Sequence, residues 1–456
     1  MKKLWLVLWL LFLLPTADLH GAATTSCVTV PQLSDVVTVV NVKCPPYNAK
    51  GDGSTDDAAA IQAAADAAAT AQGTLYFPLG VYRVTSPIMF PSDTFAGGGQ
   101  NHFNIQGDGY VQSVINCDIA SSTSDCITFW GNKGFSMKGM AFHNAQTKGS
   151  RQGLVFSGSG SGTQTGQSIF ELVAVDSFSK CINTQGVGGT ATSSEMTFIN
   201  LFLGNCTDGF YNGNFNGLNF VFIQLMMAEN TTGINCATAG CYVMGGSASA
   251  NGTDFLFTNG GTSTVMNFRS ESIGTYFLDM NGTNVFVKGV LAHKTGSTEV
   301  IRSGGSFGSS LTIESSEIGG YITAPGSNFF ATEGLTGIVL LNNRIADVSN
   351  DVIRSNTGAT TDNMGPGFRS SAVTSFMSHG NMRCTDGTFS TCDERFVDGI
   401  GTMTGAGTSQ PIYNSSERMI IDNFKTTGAA GGKKVLCVDT STGRLYASST
   451  GTDCSN

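Results

Sequence analysis

Acidic and polar side chains recur along this chain at a spacing that chemistry can use. Asp176, Asn205, Glu229, Glu271, Glu317 and Asp347 each stand five or six residues before an apolar residue: Ile182, Phe210, Ile234, Phe277, Ile322 and Ile353. If each unit is one coil of a solenoid, neighbouring coils stack about 4.8 Å apart and these groups form a polar column on one face. Asp176 and Glu229, and likewise Glu271 and Glu317, then stand two coils apart, roughly 10 Å. That is too far for a retaining glycosidase pair and near the range of an inverting one. Arg269 precedes Glu271 by two residues, so on a strand both face the same way, and it is the candidate base. The offset alternates between five and six, and a one-residue slip moves a side chain to the other face. A solvated strand edge is therefore the competing reading. His143 and His293 read as isolated strand or turn residues.

The elements that must position these groups show in a repeat. Ile127, Leu154, Ile182, Phe210, Ile234, Phe255, Phe277, Ile301, Ile322 and Ile353 recur roughly every 20 to 30 residues, a period that suits one three-strand coil with variable turns. Alternating stretches such as Met196–Leu201 and Val285–Lys288 supply strands. The pattern predicts an all-β solenoid over residues 101–365, in which the phenylalanines are core. Asn144, Asn183 and Asn200 are expected in turns or ladders. Past residue 365 the period fades. Residues 366–456 hold Cys384, Cys392 and Val435–Asp439 and read as a small disulfide-tied segment.

At the other end, Lys2 and Lys3 precede an apolar run, Leu4–Leu14, followed by small residues at Gly21–Ala23. This is the layout of a secretory leader over residues 1–23, too short for a membrane span. No other stretch approaches membrane length. Twelve cysteines in an exported chain are read as disulfides. Near neighbours suggest Cys27 with Cys44, Cys117 with Cys126, Cys236 with Cys241, Cys384 with Cys392, and Cys437 with Cys454. Cys181 and Cys206 remain, separated by about one coil. The formal net charge of -9, with only 12% charged residues, argues against nucleic acid as a partner. Asn205, Asn230, Asn251, Asn281 and Asn414 begin Asn-x-Ser/Thr triplets, which chance explains in so polar a chain.

Residues 47–82 carry the most specific pattern. Tyr47-Asn48-Ala49-Lys50-Gly51-Asp52-Gly53-Ser54-Thr55-Asp56-Asp57 is a glycine-rich turn into a helix through Ile61 and Gln62, ending near Gly73. Ser54 is the expected N-cap, with Asp57 at the third helical position. Leu75–Pro78 and Val81–Val84 read as strands about a Pro78-to-Gly80 turn. This segment resembles the N-terminal signature of the pectate-lyase superfamily, which includes rhamnogalacturonase-like proteins, epimerases and many tailspikes. Asn48 and Ala58 depart from the usual glycine and threonine. The resemblance implies a right-handed parallel β-helix whose open end is capped by residues 24–100, with Asp56 and Asp57 structural. It also implies a secreted or periplasmic protein acting on a polysaccharide, either as a lyase or as an inverting glycoside hydrolase. A non-catalytic carbohydrate-binding, adhesin or tailspike-like module is the alternative. The hydrolase motifs of the polygalacturonase-like branch are not present in full. A lyase would bring Ca2+ through clustered carboxylates, and its acidic surface would need that ion or a basic patch to hold an anionic polymer. A homotrimer is common among tailspike relatives.

Overall fold

The computed structural model describes residues 38–90 and, apart from breaks in the turns, 103–346; beyond these it describes strands as far as Ala447. The expected leader, Cys27 and Cys454 lie outside the described residues. The architecture is a parallel β-helix. One sheet has 23 strands and a second, facing it, has 11, and nearly every pairing in both is parallel. A coil such as Ser193–Ile199, Phe202–Gly204 and Asp208–Asn212 supplies two arms to the larger sheet and one strand to the smaller. The three-strand coil read from the period is present.

The repeat anchors lie in one column. Ile88, Ile127, Leu154, Ile182, Phe210, Ile234, Phe255, Leu278, Ile301, Ile322 and Ile353 pair in unbroken register along the smaller sheet. Phe277, expected in this column, is replaced by Leu278. Both are fully buried, so apolarity alone does not distinguish their registers. Register also aligns aromatic rings in the core. Phe129 stacks on Phe156 at 4.8 Å, Phe170 on Phe198 at 4.9 Å and Phe198 on Phe222 at 5.0 Å, each contributing beyond its burial.

What makes the larger sheet bend is a column of left-handed residues. Gly139, Leu172, Asn200, Gln224, Gly245, Asn267, Gly289, Ser315 and Asn342 all have positive φ and occupy one register position. Five positions later Ser177, Asn205, Glu229, Ala250 and Ser272 form a second such column. A non-glycine residue pays about 1–2 kcal/mol for this conformation, so asparagine and glycine are frequent there. At Gly246 the need is steric as well, since a Cβ would stand 2.0 Å from the Leu225 carbonyl.

The capping helix spans Ala58–Thr70, with Asp57 rather than Ser54 as N-cap. Ser54 belongs to the strand Asp52–Asp56. The Asp57 carboxylate, 1% exposed, is used instead by the Lys50 and Gly51 amides at 2.7 and 2.9 Å. It therefore ties down the glycine turn. Asp56 accepts from Thr85 Oγ1 at 2.6 Å, so both aspartates have structural partners. Gln62 explains how the helix closes the smaller sheet. Its Nε2 donates to the Met89 carbonyl at 2.7 Å and its Oε1 accepts from the Met89 amide at 2.8 Å, as a neighbouring strand would. The helix ends at Thr70, and Gly73 lies beyond it, where a Cβ would meet the Thr38 carbonyl at 2.2 Å. Strands of the first coils already lie within residues 39–90, and parallel pairing continues to Met382–Cys384. The solenoid thus runs past both ends of the 101–365 span. Antiparallel pairs follow, and Cys384 lies opposite Cys392.

Disulfides join Cys117 to Cys126, Cys181 to Cys206 and Cys236 to Cys241, as expected from spacing, and Cys44 is disulfide-bonded as well. Such bonds belong to an oxidising, non-cytoplasmic compartment. Among the described residues no helix is long and apolar enough to cross a membrane.

Candidate active site on the second bend

The register divides the expected polar column among three positions. Asp176 pairs with His143 in the preceding coil and Gly204 in the following one, and Ala228, Ser249 and Glu271 succeed it. Glu271 thus shares the position of Asp176 but stands four coils away, roughly 19 Å. Asn205 and Glu229 lie one residue later, on the second left-handed bend. Arg269 and Glu317 lie two residues earlier, with Leu291 between them. Neither Asp176 with Glu229 nor Glu271 with Glu317 forms the facing pair expected two coils apart. The cause is the slip that the alternating offset foreshadowed: turns of different length shift each polar residue against its apolar anchor. Asp347 lies outside the described residues.

Arg269 and Glu271 do share a face and are ion-paired. Glu317 is paired with Arg344 at 2.7 Å. A guanidinium does not lose its proton in proteins, and one held by a carboxylate is poorly suited to act as a base. His293 stands among these charges. Burial lowers its pKa, against the opposing influence of Glu317 and Glu271, so it is not the isolated residue expected.

His143 is not isolated either. It ends the strand Ser136–Asn144, and Asp176 ends Thr165–Asp176 one coil on. His143 Nδ1 lies 2.8 Å from Asp176 Oδ2. Ser177 Oγ donates to the same oxygen at 3.0 Å, and Asn205 Nδ2 donates to Ser177 Oγ at 3.1 Å. The two side chains are 46% and 34% exposed. The hydrogen bond to Asp176 raises the His143 pKa above its ordinary value, and burial opposes it. With the Nδ1 proton given to Asp176, Nε2 carries the lone pair, the arrangement of an oriented general base. Sequence reading missed this pair because His143 and Asp176 are 33 residues apart, longer than most units of the repeat.

A turn over residues 145–150 overhangs the pair. It is built by Asn144, 2% exposed, whose Nδ2 donates to the carbonyls of Ser150 at 3.1 Å and Ser177 at 3.0 Å. From this turn Lys148 Nζ donates to the Glu229 carbonyl at 3.1 Å, and Gln146 Nε2 donates to Asp118. Asp118 also forms an ion pair with Arg83 at 2.7 Å, and the Arg83 hydrogen bond holds its carboxyl below the usual range. Arg83 thus shares the register position of His143 two coils away, paired with Asp118, and Lys148 reaches the second bend at Glu229. These residues do not fit a calcium cage. Asp118 and Asp176 are each committed to a nitrogen partner, and among the described residues no group of three or more His, Cys, Asp or Glu converges on one point.

The groove beyond the dyad is apolar. A cleft of about 260 Å³ at the first bend is lined by Tyr110, Leu172, Phe202 and Met226 among others. Ile169, Met226 and Met244 are 49%, 41% and 37% exposed on the outer face of the larger sheet.

A parallel β-helix with this signature and an acid–base pair on its flank defines a class, and comparison with known proteins agrees. Residues 39–247 match the family described as Rhamnogalacturonase A/epimerase, pectate lyase-like. The resemblance stated from the signature is therefore shown over those residues, on a parallel β-helix. No curated protein matches it in sequence. Among solved structures it is similar to the Azotobacter vinelandii mannuronan C-5 epimerase AlgE4 A-module, at 17% identity and a TM-score of 0.43, covering 70% of this chain and 91% of that one. It is also similar to the Acinetobacter phage vb_AbaP_AS12 gp42 tailspike, at 13% identity and a TM-score of 0.47, covering 81% and 67%. A third similar structure is PfbA, a surface adhesin of Streptococcus pneumoniae, at 12% identity and a TM-score of 0.43, covering 84% and 99%.

Proposed function

We propose that this protein is a secreted polysaccharide lyase that cleaves uronate-containing chains, with His143 as the base. The observation that carries the reading is the His143–Asp176 hydrogen bond, which orients an accessible imidazole on the outer face of the solenoid. In the proposed step, Nε2 takes the proton α to the uronate carboxylate, and the electron pair moves toward that carboxylate as an enolate. The pair then returns to form the C4–C5 double bond as the C4–O glycosidic bond breaks, and the leaving oxygen takes a proton from solvent. Asp176 holds the ring and stabilises the imidazolium that forms. Lys148 offsets the acidic surface locally, and the apolar groove accommodates the less polar faces of neighbouring sugars.

The test is incubation of the purified protein with polyuronates and neutral polysaccharides, with calcium and with chelator. The expected result is ultraviolet absorbance from unsaturated uronate together with new reducing ends, persisting in chelator. Reducing ends without absorbance would instead indicate a hydrolase. A second reading, a non-catalytic carbohydrate-binding or adhesin-like module, is favoured by the ion pairing of Arg269, Glu271 and Glu317. Binding with no product from any polymer would support it.

A further inference from the structure

On the first arm of the larger sheet, before the left-handed bend, one outward column of side chains has an unusual order. Ile199, Ile223, Met244 and Met266 pair in register through four consecutive coils. Glu171 and then Lys138 continue the column on one side, and Lys288 and then Glu314 on the other. Each flank is ion-paired at 2.9 Å, Lys138 with Glu171 and Lys288 with Glu314. Met244 is 37% exposed, and the other three apolar side chains are half-buried. A sheet face turned to solvent ordinarily carries polar residues, and a contiguous apolar strip with a charged rim marks an interaction surface.

The order of the column says what fits it. From one end it runs Lys, Glu, four apolar residues, Lys, Glu; from the other it runs Glu, Lys, four apolar residues, Glu, Lys. A second copy laid face to face about a two-fold axis parallel to the strands keeps each column opposite itself and reverses the order of coils. With that axis between the coils of Ile223 and Met244, Lys138 faces the partner's Glu314 and Glu171 faces the partner's Lys288. Ile199 then faces the partner's Met266, and Ile223 the partner's Met244. The outward column two residues earlier obeys the same symmetry. It holds Ile169, Thr197, Val221, Tyr242, Thr264 and Phe286 in successive coils. Ile169 therefore meets the partner's Phe286, Thr197 the partner's Thr264, and Val221 the partner's Tyr242. Charges meet their opposites and apolar side chains meet apolar ones, the self-complementarity that a closed two-fold interface requires. Coils spaced about 4.8 Å apart and strands rising about 3.3 Å per residue make this face roughly 600 Å² per copy, at the lower bound of stable interfaces.

We propose that this protein forms an antiparallel homodimer through the first arm of its larger sheet. His143 and Asp176 lie on the second arm, beyond the left-handed bend, as do Phe202 and Met226. The dimer therefore uses none of them, and the proposal stands apart from the lyase reading.

The test is sedimentation equilibrium of the full chain across the micromolar range, where the wild type is expected to be a dimer. Exchanging the charges of one flank, Lys138→Glu with Glu171→Lys, keeps the ion pair within the chain but sets like charges across the two-fold axis. The dimer Kd is expected to rise about tenfold or more. Exchanging the other flank as well, Lys288→Glu with Glu314→Lys, makes every facing pair opposite again and is expected to restore the dimer. Met244→Glu, at a side chain already exposed, is expected to dissociate the dimer too, and it serves if the charge exchange fails to fold by circular dichroism. A wild type that stays monomeric, or one that sediments as a trimer, overturns the proposal. So does a dimer that neither the first exchange nor Met244→Glu weakens, or a loss on the first exchange that the second does not repair.

Discussion

Asp254 gives the solenoid a pH dependence whose size follows from its surroundings. The residue is 1% exposed. Asn251 Nδ2 donates to one carboxyl oxygen at 2.8 Å, and Ser270 Oγ donates to the other. Among the described residues no cation opposes the cost of burying its charge, so desolvation pushes its pKa up to about 7 from 3.8. A folded-state pKa above the unfolded value means that the folded protein holds the proton longer. The stability this confers is complete below about pH 4 and is lost as pH rises through 7. A difference of about three pKa units corresponds to on the order of 4 kcal/mol. Asp254→Asn keeps the shape, accepting from Asn251 through its oxygen and donating to Ser270 through its nitrogen. The assay compares urea midpoints of the two proteins by circular dichroism from pH 4 to 8. The wild type is expected to lose stability relative to the variant across that window. His143, whose raised pKa adds a loss of the same sign, is common to both proteins and cancels. A difference that stays flat with pH would refute the reasoning, because the carboxylate would then have water or a cation beside it.

The three described disulfides close loops of 25, 9 and 5 residues, and the chain-entropy model assigns them about 3.5, 2.6 and 2 kcal/mol. Paired Cys→Ala variants at Cys181–Cys206, Cys117–Cys126 and Cys236–Cys241 are expected to lower the melting temperature in that order, read by calorimetry; the reverse order would contradict it. Asn230 is 2% exposed, donates to the Leu203 carbonyl at 2.9 Å and accepts from the Cys206 amide at 2.9 Å. Asn230→Ala is expected to destabilise by roughly 2–3 kcal/mol through these stranded groups, measured as a shifted urea midpoint; an unchanged midpoint would show that water replaces the side chain.

The β-helix was legible because its core obeys register. Nine of the ten apolar anchors lie in one column, since a stacked coil must place an apolar residue above the last. The signature was legible because its residues are contiguous and Asp57 holds the Lys50 and Gly51 amides within the same turn. Ser54 was misread as the cap because the strand Asp52–Asp56 takes it before the helix begins. The site was legible only in part. Asp176 was marked by its place in the repeat, but its partner His143 lies across a lengthened coil. Asn230 and Asn251, two of the Asn-x-Ser/Thr positions, proved to be buried at 2% and 1% exposure, bonded to each other and to neighbouring coils.

The central claim is that His143, oriented by Asp176, moves the proton. The most direct test is the rate of unsaturated-uronate formation by wild type, His143→Ala and Asp176→Asn on the polyuronate that the wild type cleaves, followed across pH. The account expects the wild-type rate to rise with pH through a pKa above the ordinary histidine value. It expects His143→Ala to lose on the order of 10²–10⁴-fold, and Asp176→Asn to move the inflection to lower pH. A His143→Ala protein that forms the unsaturated product at the wild-type rate would contradict it.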